Sequence, residues 1–160
     1  RRYISKNNYS DQLEINRAER GKYALSFVLI DFGNVAQQIQ KDYFIALKKA
    51  LRETDVILKT DDKNAYILVC PFTPKNFLVQ VENKIRYLFD EEKKQERVSA
   101  MTKLYAYGLT LGEDGHTFEE IYKRLTDSVY DSKLLDQTIV QNLIYTRDKS
   151  KVYKSQFKRF

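Results

Sequence analysis

The chain has 160 residues, is 42% hydrophobic and 31% charged, and contains one cysteine, Cys70. This composition indicates one globular domain and argues against a disordered chain. A single cysteine also excludes an intrachain disulfide and a thiolate metal cluster. The apolar runs are far shorter than the ~20 residues that span a membrane. Because the chain opens with Arg1 and Arg2 rather than Met, we expect it to be a piece of a longer protein.

The net charge of +6 is concentrated at one end of the chain. Residues 147–160 contain six cations and one anion, and they therefore carry +5 of the total. The rest of the chain is nearly neutral, so a uniformly basic surface for a nucleic acid polymer is not expected. Aromatic residues interleave with these cations, which would suit RNA, acidic lipid or a protein partner, but a solvated tail is the favoured interpretation.

Helical and strand patterns alternate along the chain. Capping boxes, helical spacing of apolar residues and Pro74 at a helix start predict helices over 11–20, 35–51, 74–88 and 117–133. Near-continuous or alternating apolar runs predict strands over 23–30, 56–58, 66–70 and 103–111. The polar turn 60–64 joins the middle two strands into a hairpin. The order is typical of an α/β domain with a hairpin at its centre.

Smaller features complete the prediction. Thr73 is expected to cap the third helix, and the charged stretch 90–97 is expected to be a loop. Residues 137–145 fit either a strand or a helix. Val152 and Tyr153 are expected to form a short final strand.

The centre of the chain resembles a known family. Residues 51–69 read LRETDVILKTDDKNAYILV, and this run resembles the segment of diguanylate cyclases in which an RxxD motif precedes the GGDEF signature. Further stretches resemble later segments of that family in the same order, and they are 81–86, 105–109 and 122–133. Arg1, Arg2 and Tyr3 resemble the end of its opening motif.

The resemblance implies an α/β domain of the palm-like nucleotidyl-cyclase type, with a central, mainly antiparallel sheet flanked by helices. We expect a degenerate GGDEF domain, truncated at its N-terminal edge, to span residues 1–146. The basic tail, 147–160, is then expected to add a strand or to dock on the domain.

The signature positions depart from GGDEF, and they read DDKNA. By the resemblance, Asp61 and Asp62 place bulk and negative charge where two glycines would let a phosphate approach. Lys63 opposes a divalent cation, and Asn64 cannot act as a base. Ala65 replaces the final phenylalanine.

Other parts of the catalytic machinery that the resemblance implies are also missing. Asp31 is retained from the first metal-binding strand, but Gly33 replaces its second acid, and the segment that grips guanine before Arg52 is absent. Asp31, Asp61 and Asp62 could together hold a hard cation, but a polar turn and a leftover acid are the favoured interpretation. We therefore expect an enzymatically inactive domain without metal or cofactor.

An RxxD motif remains at Arg52 and Asp55. In the family this motif is an inhibitory site that binds cyclic di-GMP. Arginine presents a planar fork to guanine or phosphate, and a carboxylate can accept the guanine N–H groups. The family completes the pocket with a basic residue on the next helix, where Lys84 and Arg86 lie in this chain. The alternative interpretation is an exposed ion pair that contributes under about 1 kcal/mol.

The resemblance thus implies a cyclic di-GMP receptor that regulates a protein partner, as inactive domains of this type do for exopolysaccharide synthesis machinery. A dimerisation or docking scaffold without a ligand is the alternative, and a homodimer is compatible with both. A sensor that binds GTP without turnover is a third interpretation, which the absent guanine-binding segment disfavours. We expect a cytoplasmic bacterial protein, either free or as the soluble portion of a membrane-anchored one.

Overall fold

The computed structural model describes residues 3–4 and 11–157, with side chains described for 13–137. The chain divides into two units, Arg1–Val129 and Tyr130–Phe160. The elements in chain order are β1 (Tyr3–Ile4), α1 (Asp11–Gly21), β2 (Leu25–Asp31), α2 (Gln37–Ala50), β3 (Val56–Thr60), β4 (Ala65–Pro71), α3 (Lys75–Lys94), β5 (Tyr105–Thr110) and α4 (Phe118–Phe157).

The strands form one antiparallel sheet in the order β1-β3-β4-β2-β5. β2 pairs with β4 on one side and β5 on the other, and every residue of β2 is buried. This burial explains why its sequence is a near-continuous apolar run rather than an alternating one. The predicted antiparallel sheet and its central hairpin are confirmed.

Helices cover both faces of the sheet. One face packs against α1 and the start of α4, through Ile15, Ala18, Phe118, Ile121, Leu125 and Val129. The other face packs against α2 and α3, through Tyr43, Leu47, Leu78, Ile85 and Phe89. Successive side chains of a strand point to opposite faces, so the buried strands contribute alternate residues to the two cores. The fold is therefore a layered α/β arrangement, as predicted.

The third helix corrects two predictions. α3 continues to Lys94, so most of the charged stretch 90–97 is helical and not a loop. Its extra turn is held because Phe89 and Glu92 are buried, and Arg97 donates to both oxygens of the Glu92 carboxylate at 2.8 and 2.7 Å. Thr73 is not the N-cap, which is Pro74, and no side chain caps that helix start.

The last helix begins as predicted and ends later. The Glu120 N–H donates to Thr117 Oγ1 at 3.1 Å, and the Thr117 N–H donates to Glu120 Oε1 at the same distance, which confirms this capping box. The helix runs to Phe157, so the strand predicted at Val152 and Tyr153 is wrong and 137–145 is helical. The side chains of the basic tail lie outside the described residues. In the part of the chain that the structure describes, no helix has the length and apolarity that crossing a membrane requires.

Candidate functional site

The RxxD motif forms a tight turn between α2 and β3. The Arg52 N–H donates to Asp55 Oδ2 at 3.0 Å, and the Asp55 N–H donates back to the Arg52 carbonyl at 3.0 Å. The Asp55 side chain thus supplies an acceptor for the Arg52 N–H just after the end of α2, in the way that Asp side chains commonly bind nearby backbone N–H groups in turns. This geometry explains why the two residues are three apart.

The Arg52 side chain links this turn to the connection between β4 and α3. Its guanidinium donates to the Pro71 carbonyl at 2.7 Å, to Thr73 Oγ1 and, at 3.5 Å, to the Phe72 carbonyl. The side chain is nevertheless 52% exposed. Arg52 is therefore held in place and still open to a ligand.

The Asp55 carboxylate is almost completely buried, with 3% of its side chain exposed. Its Oδ1 lies 3.5 Å from Arg52 Nη2 and has no hydrogen-bond partner. A buried acceptor without a donor costs about 1–3 kcal/mol. Asp55 therefore acts from beneath the surface, through its contacts with Arg52.

A surface groove of about 230 Å³ lies next to this turn. Its lining combines two cations with exposed rings and an amide, and it includes Arg52, Lys84, Phe72, Phe77 and Gln80. A second depression of about 150 Å³ shares Arg52 and is lined also by Lys48 and Asp55. Leu51 and Arg52 line both depressions, and Arg52 is the charged residue that they share.

Lys84 reaches the end of α2 from α3. Its Nζ donates to the Ala50 carbonyl at 2.8 Å and is exposed. A cation at a helix C-terminus is favoured by the helix dipole, so this position is stable without a ligand. The amine is close enough to the groove to line it.

Arg86 lies elsewhere, against the edge strand β5. Its guanidinium donates to the Ala106 carbonyl at 2.7 Å, and Arg86 is not among the residues that line the groove. From the same helix, Glu82 accepts the Gly108 N–H at 2.9 Å. Burial raises the pKa of Glu82, while Arg86 and the Gly108 N–H act in the opposite direction. The structure therefore places Lys84, and not Arg86, with Arg52.

Asp114 binds the same edge of β5, two residues after Gly108. It accepts the Thr110 N–H at 2.9 Å and both of its oxygens accept from Lys75 Nζ at 2.6–2.7 Å. Partial burial pushes the pKa of Asp114 up, but the bonds from Lys75 and Thr110 outweigh it and leave the pKa below its usual value. The ionised carboxylate therefore holds the end of β5.

Residues 61–64 form the turn between β3 and β4, and polar groups in and beside this turn bind one another. Thr60 Oγ1 donates to the Ala65 carbonyl at 2.8 Å, and the Asn64 N–H donates to Asp62 Oδ1 at 2.8 Å. Asn64 Oδ1 accepts from Gln37 at 3.1 Å and from the buried Gln40 at 2.9 Å. This amide network closes the turn onto α2.

Asp31, the last residue of β2, also has a local partner. Asp31 is buried, and its Oδ1 accepts the Gly33 N–H at 2.8 Å. Gly33 has φ of +63°, a conformation that glycine adopts without strain. Among the described residues, no group of three or more His, Cys, Asp or Glu side chains is arranged to hold a metal ion.

Sequence reasoning missed the aromatic part of the groove and the amide network of the turn. Phe72 directly follows β4 and Phe77 lies in the first turn of α3, in a stretch where the prediction used the two prolines and Thr73. A phenylalanine between Pro71 and Thr73, outside any apolar periodicity, was the available signal. Gln37 and Gln40 carried no recognisable pattern.

A solved structure has an architecture similar to that of this chain. No family model matches the sequence, and no curated protein matches it. Among solved structures, the chain is similar to that of "a DGC protein from Thermotoga maritima", DGC standing for diguanylate cyclase. The TM-score is 0.61 at 12% sequence identity, over 72% of this chain and 86% of that one. The chain has a diguanylate cyclase-like fold.

At this level of identity the likeness concerns the fold alone. Within the diguanylate cyclase-like fold, the Arg52 turn stands at the start of β3 and the DDKNA turn stands at its end.

Proposed function

We propose that this chain is a cyclic di-GMP receptor that has no diguanylate cyclase activity. The observation that carries the proposal is the arrangement around Arg52. A half-exposed guanidinium and the Lys84 amine line one groove with exposed rings, and the buried Asp55 carboxylate contacts Arg52 from beneath. Cyclic di-GMP offers two phosphates and two guanines, which complement these cations and rings.

Arg52 is the anchor of the proposed site. Its bonds to the 71–73 backbone fix the guanidinium, so little side-chain entropy is lost when a ligand binds. Asp55 supports it from the same turn, where it accepts the Arg52 N–H and pairs with the guanidinium. Lys84 supplies a point charge for a phosphate, without the fork that a second arginine would present.

The proposed lack of synthesis rests on the turn after β3. Lys63 places a cation where a two-metal mechanism needs a metal ligand, and Asn64 has no proton-accepting carboxylate. Its side-chain oxygen is already bound by Gln37 and Gln40. No metal or cofactor is needed for the function that we propose.

As a receptor, the domain acts on a protein partner, and by analogy of fold an exopolysaccharide synthesis component is the class that we propose.

A docking or dimerisation scaffold is the second candidate. It is favoured by exposed apolar residues in the second unit, where Tyr130 and Leu134 are four positions apart on one helix face. A scaffold of this kind would show no affinity for cyclic di-GMP.

Calorimetric titration of the chain with cyclic di-GMP tests the proposal. We expect micromolar affinity or better, about −8 kcal/mol. Arg52→Ala should weaken it about 100-fold or more, because two charge-assisted hydrogen bonds are lost. Asp55→Ala should weaken it less, since that residue mainly orients Arg52.

Arg17→Ala is a matched control. Arg17 pairs with Glu14 at i,i+3, with side-chain exposures of 51% and 7%, against 52% and 3% for Arg52 and Asp55. Its removal should leave the affinity unchanged. Equal affinities for Arg52→Ala and the parent chain would reject the site, and no binding by the parent chain would favour the scaffold.

A further inference from the structure

Phe72 has a backbone conformation that a bulky residue rarely adopts. Its φ is +55°, in the left-handed region, which costs a residue with a side chain about 1–2 kcal/mol. Such strain persists where the surroundings enforce it, and it clusters at binding sites. Here the Arg52 guanidinium contacts the backbone on both sides of the Phe72 Cα, because it donates to the Pro71 carbonyl at 2.7 Å and, more weakly, to the Phe72 carbonyl at 3.5 Å.

The Phe72 ring is also held from the side. It packs against the Tyr23 ring, with centroids 4.2 Å apart and planes at 32°. Tyr23 is itself fixed, since its hydroxyl donates to the buried Glu14 carboxylate at 2.6 Å. Burial and this bond raise the pKa of Tyr23 to about 12, so the hydroxyl stays a donor at neutral pH.

Despite these supports, Phe72 is 53% exposed, and it lines the groove with Arg52 and Lys84. Phe77, the second ring of the lining, is 52% exposed. The strained backbone therefore leaves about half of the Phe72 side chain open to solvent, on the groove. Two rings and two cations in one groove are the elements by which proteins bind nucleotides, through base stacking and phosphate contacts.

We propose that Phe72 is an aromatic platform on which a guanine of cyclic di-GMP stacks while Arg52 and Lys84 bind the phosphates. The inference rests on the proposed function and adds a specificity to it, because the groove then selects a ligand that carries a base. Phosphate alone is expected to bind weakly, since it cannot use the platform. Phe77 lies along the same groove and flanks the base.

The absence of tryptophan from the chain gives a direct test. Phe72→Trp introduces a single indole at the platform, and titration with cyclic di-GMP should quench its fluorescence with the same midpoint as the calorimetric titration. Tyr87→Trp is the control, because Tyr87 is exposed on α3 and does not line the groove. Its fluorescence should not respond to the ligand.

Phe72→Gly removes the ring and suits a positive φ, so loss of binding cannot be attributed to added backbone strain. We expect the affinity for cyclic di-GMP to fall by about 5- to 150-fold, the range for one base–aromatic stack. Thermal unfolding should show that the variant is folded.

The outcomes separate the two proposals. If the parent chain binds cyclic di-GMP and Arg52→Ala does not, but Phe72→Gly binds like the parent and the indole is not quenched, the platform alone is overturned. If the parent chain does not bind cyclic di-GMP, the proposed function fails and the platform fails with it.

Discussion

The two ends of β3 satisfy their polar groups in different ways. At the end of the strand, Asn64 Oδ1 accepts from both Gln37 and Gln40, and these bonds close the turn onto α2. At the start of the strand, Asp55 Oδ1 is buried without a hydrogen-bond partner, and Arg52 is half exposed. The two places are one five-residue strand apart, about 17 Å.

This difference teaches where a ligand can bind. A network whose donors and acceptors bind one another gains little from an incoming molecule, which would first have to break those bonds. At the start of β3 the cations Arg52 and Lys84 reach solvent, so an anionic ligand can approach them without breaking a closed network. We therefore assign stability to the DDKNA end of β3 and recognition to the RxxD end.

The largest expected effect is a loss of stability at the DDKNA end of β3. Gln40 is fully buried, donates to the Val35 carbonyl at 2.8 Å and accepts from the Tyr66 hydroxyl at 3.2 Å. Gln40→Ala should lower the free energy of unfolding by about 3 kcal/mol, because several buried polar groups lose their partner. Urea denaturation measures this.

Gln38→Ala is the control on the same helix. Gln38 is exposed and binds Asp42 at 3.1 Å, so its loss should cost less than about 0.5 kcal/mol. Equal costs for the two variants would show that the amide network does not stabilise the turn.

A smaller effect, on ligand affinity, is expected at the RxxD end of β3. Lys84→Ala should weaken cyclic di-GMP binding about fivefold, since one exposed point charge is lost, and the difference should shrink at high salt. Arg86→Ala should leave the affinity unchanged, because Arg86 binds β5 and not the groove. Calorimetry at low and high salt compares them. The opposite result would show that Arg86 supplies the second cation.

The smallest effect on ligand affinity is expected when the four residues of the turn 61–64 are replaced. Asp61→Gly, Asp62→Gly, Lys63→Asp and Asn64→Glu, made together, should change the affinity for cyclic di-GMP by less than about twofold, because the site lies at the other end of β3. The variant should also form no cyclic di-GMP from GTP, since the substrate is still not held in position. Chromatography of a GTP incubation detects the product, and its appearance would show that guanine is held by residues that we have not identified.

Features set by neighbouring residues were predictable from the sequence. The Thr117 capping box depends on residues three apart, and β2 is recognisable because burial on both faces needs an unbroken apolar run. The contact between Arg52 and Asp55 belongs to the same class, since they bind each other across three residues, although the burial of Asp55 was not predicted. For such features the sequence pattern and the structure contain the same information.

Features that depend on distant partners were not predictable. The last turn of α3 looked like a charged loop because the burial of Glu92 and its bond to Arg97 appear only in the folded chain. Thr73 looked like a helix cap, but its hydroxyl accepts from Arg52 instead, 21 positions away. The exposure of Phe72 has the same origin, because contacts with Tyr23 and Arg52 hold it.

The contacts along β5 have a consequence for self-association. A strand at the edge of a sheet offers backbone groups to which another chain can add a strand, and this is a common route to aggregation. Here side chains already occupy the Ala106 carbonyl and the Gly108 and Thr110 N–H groups. A second copy of the chain would have to displace Arg86, Glu82 and Asp114 to extend the sheet there, so any homodimer that forms at this edge must use side-chain surfaces instead.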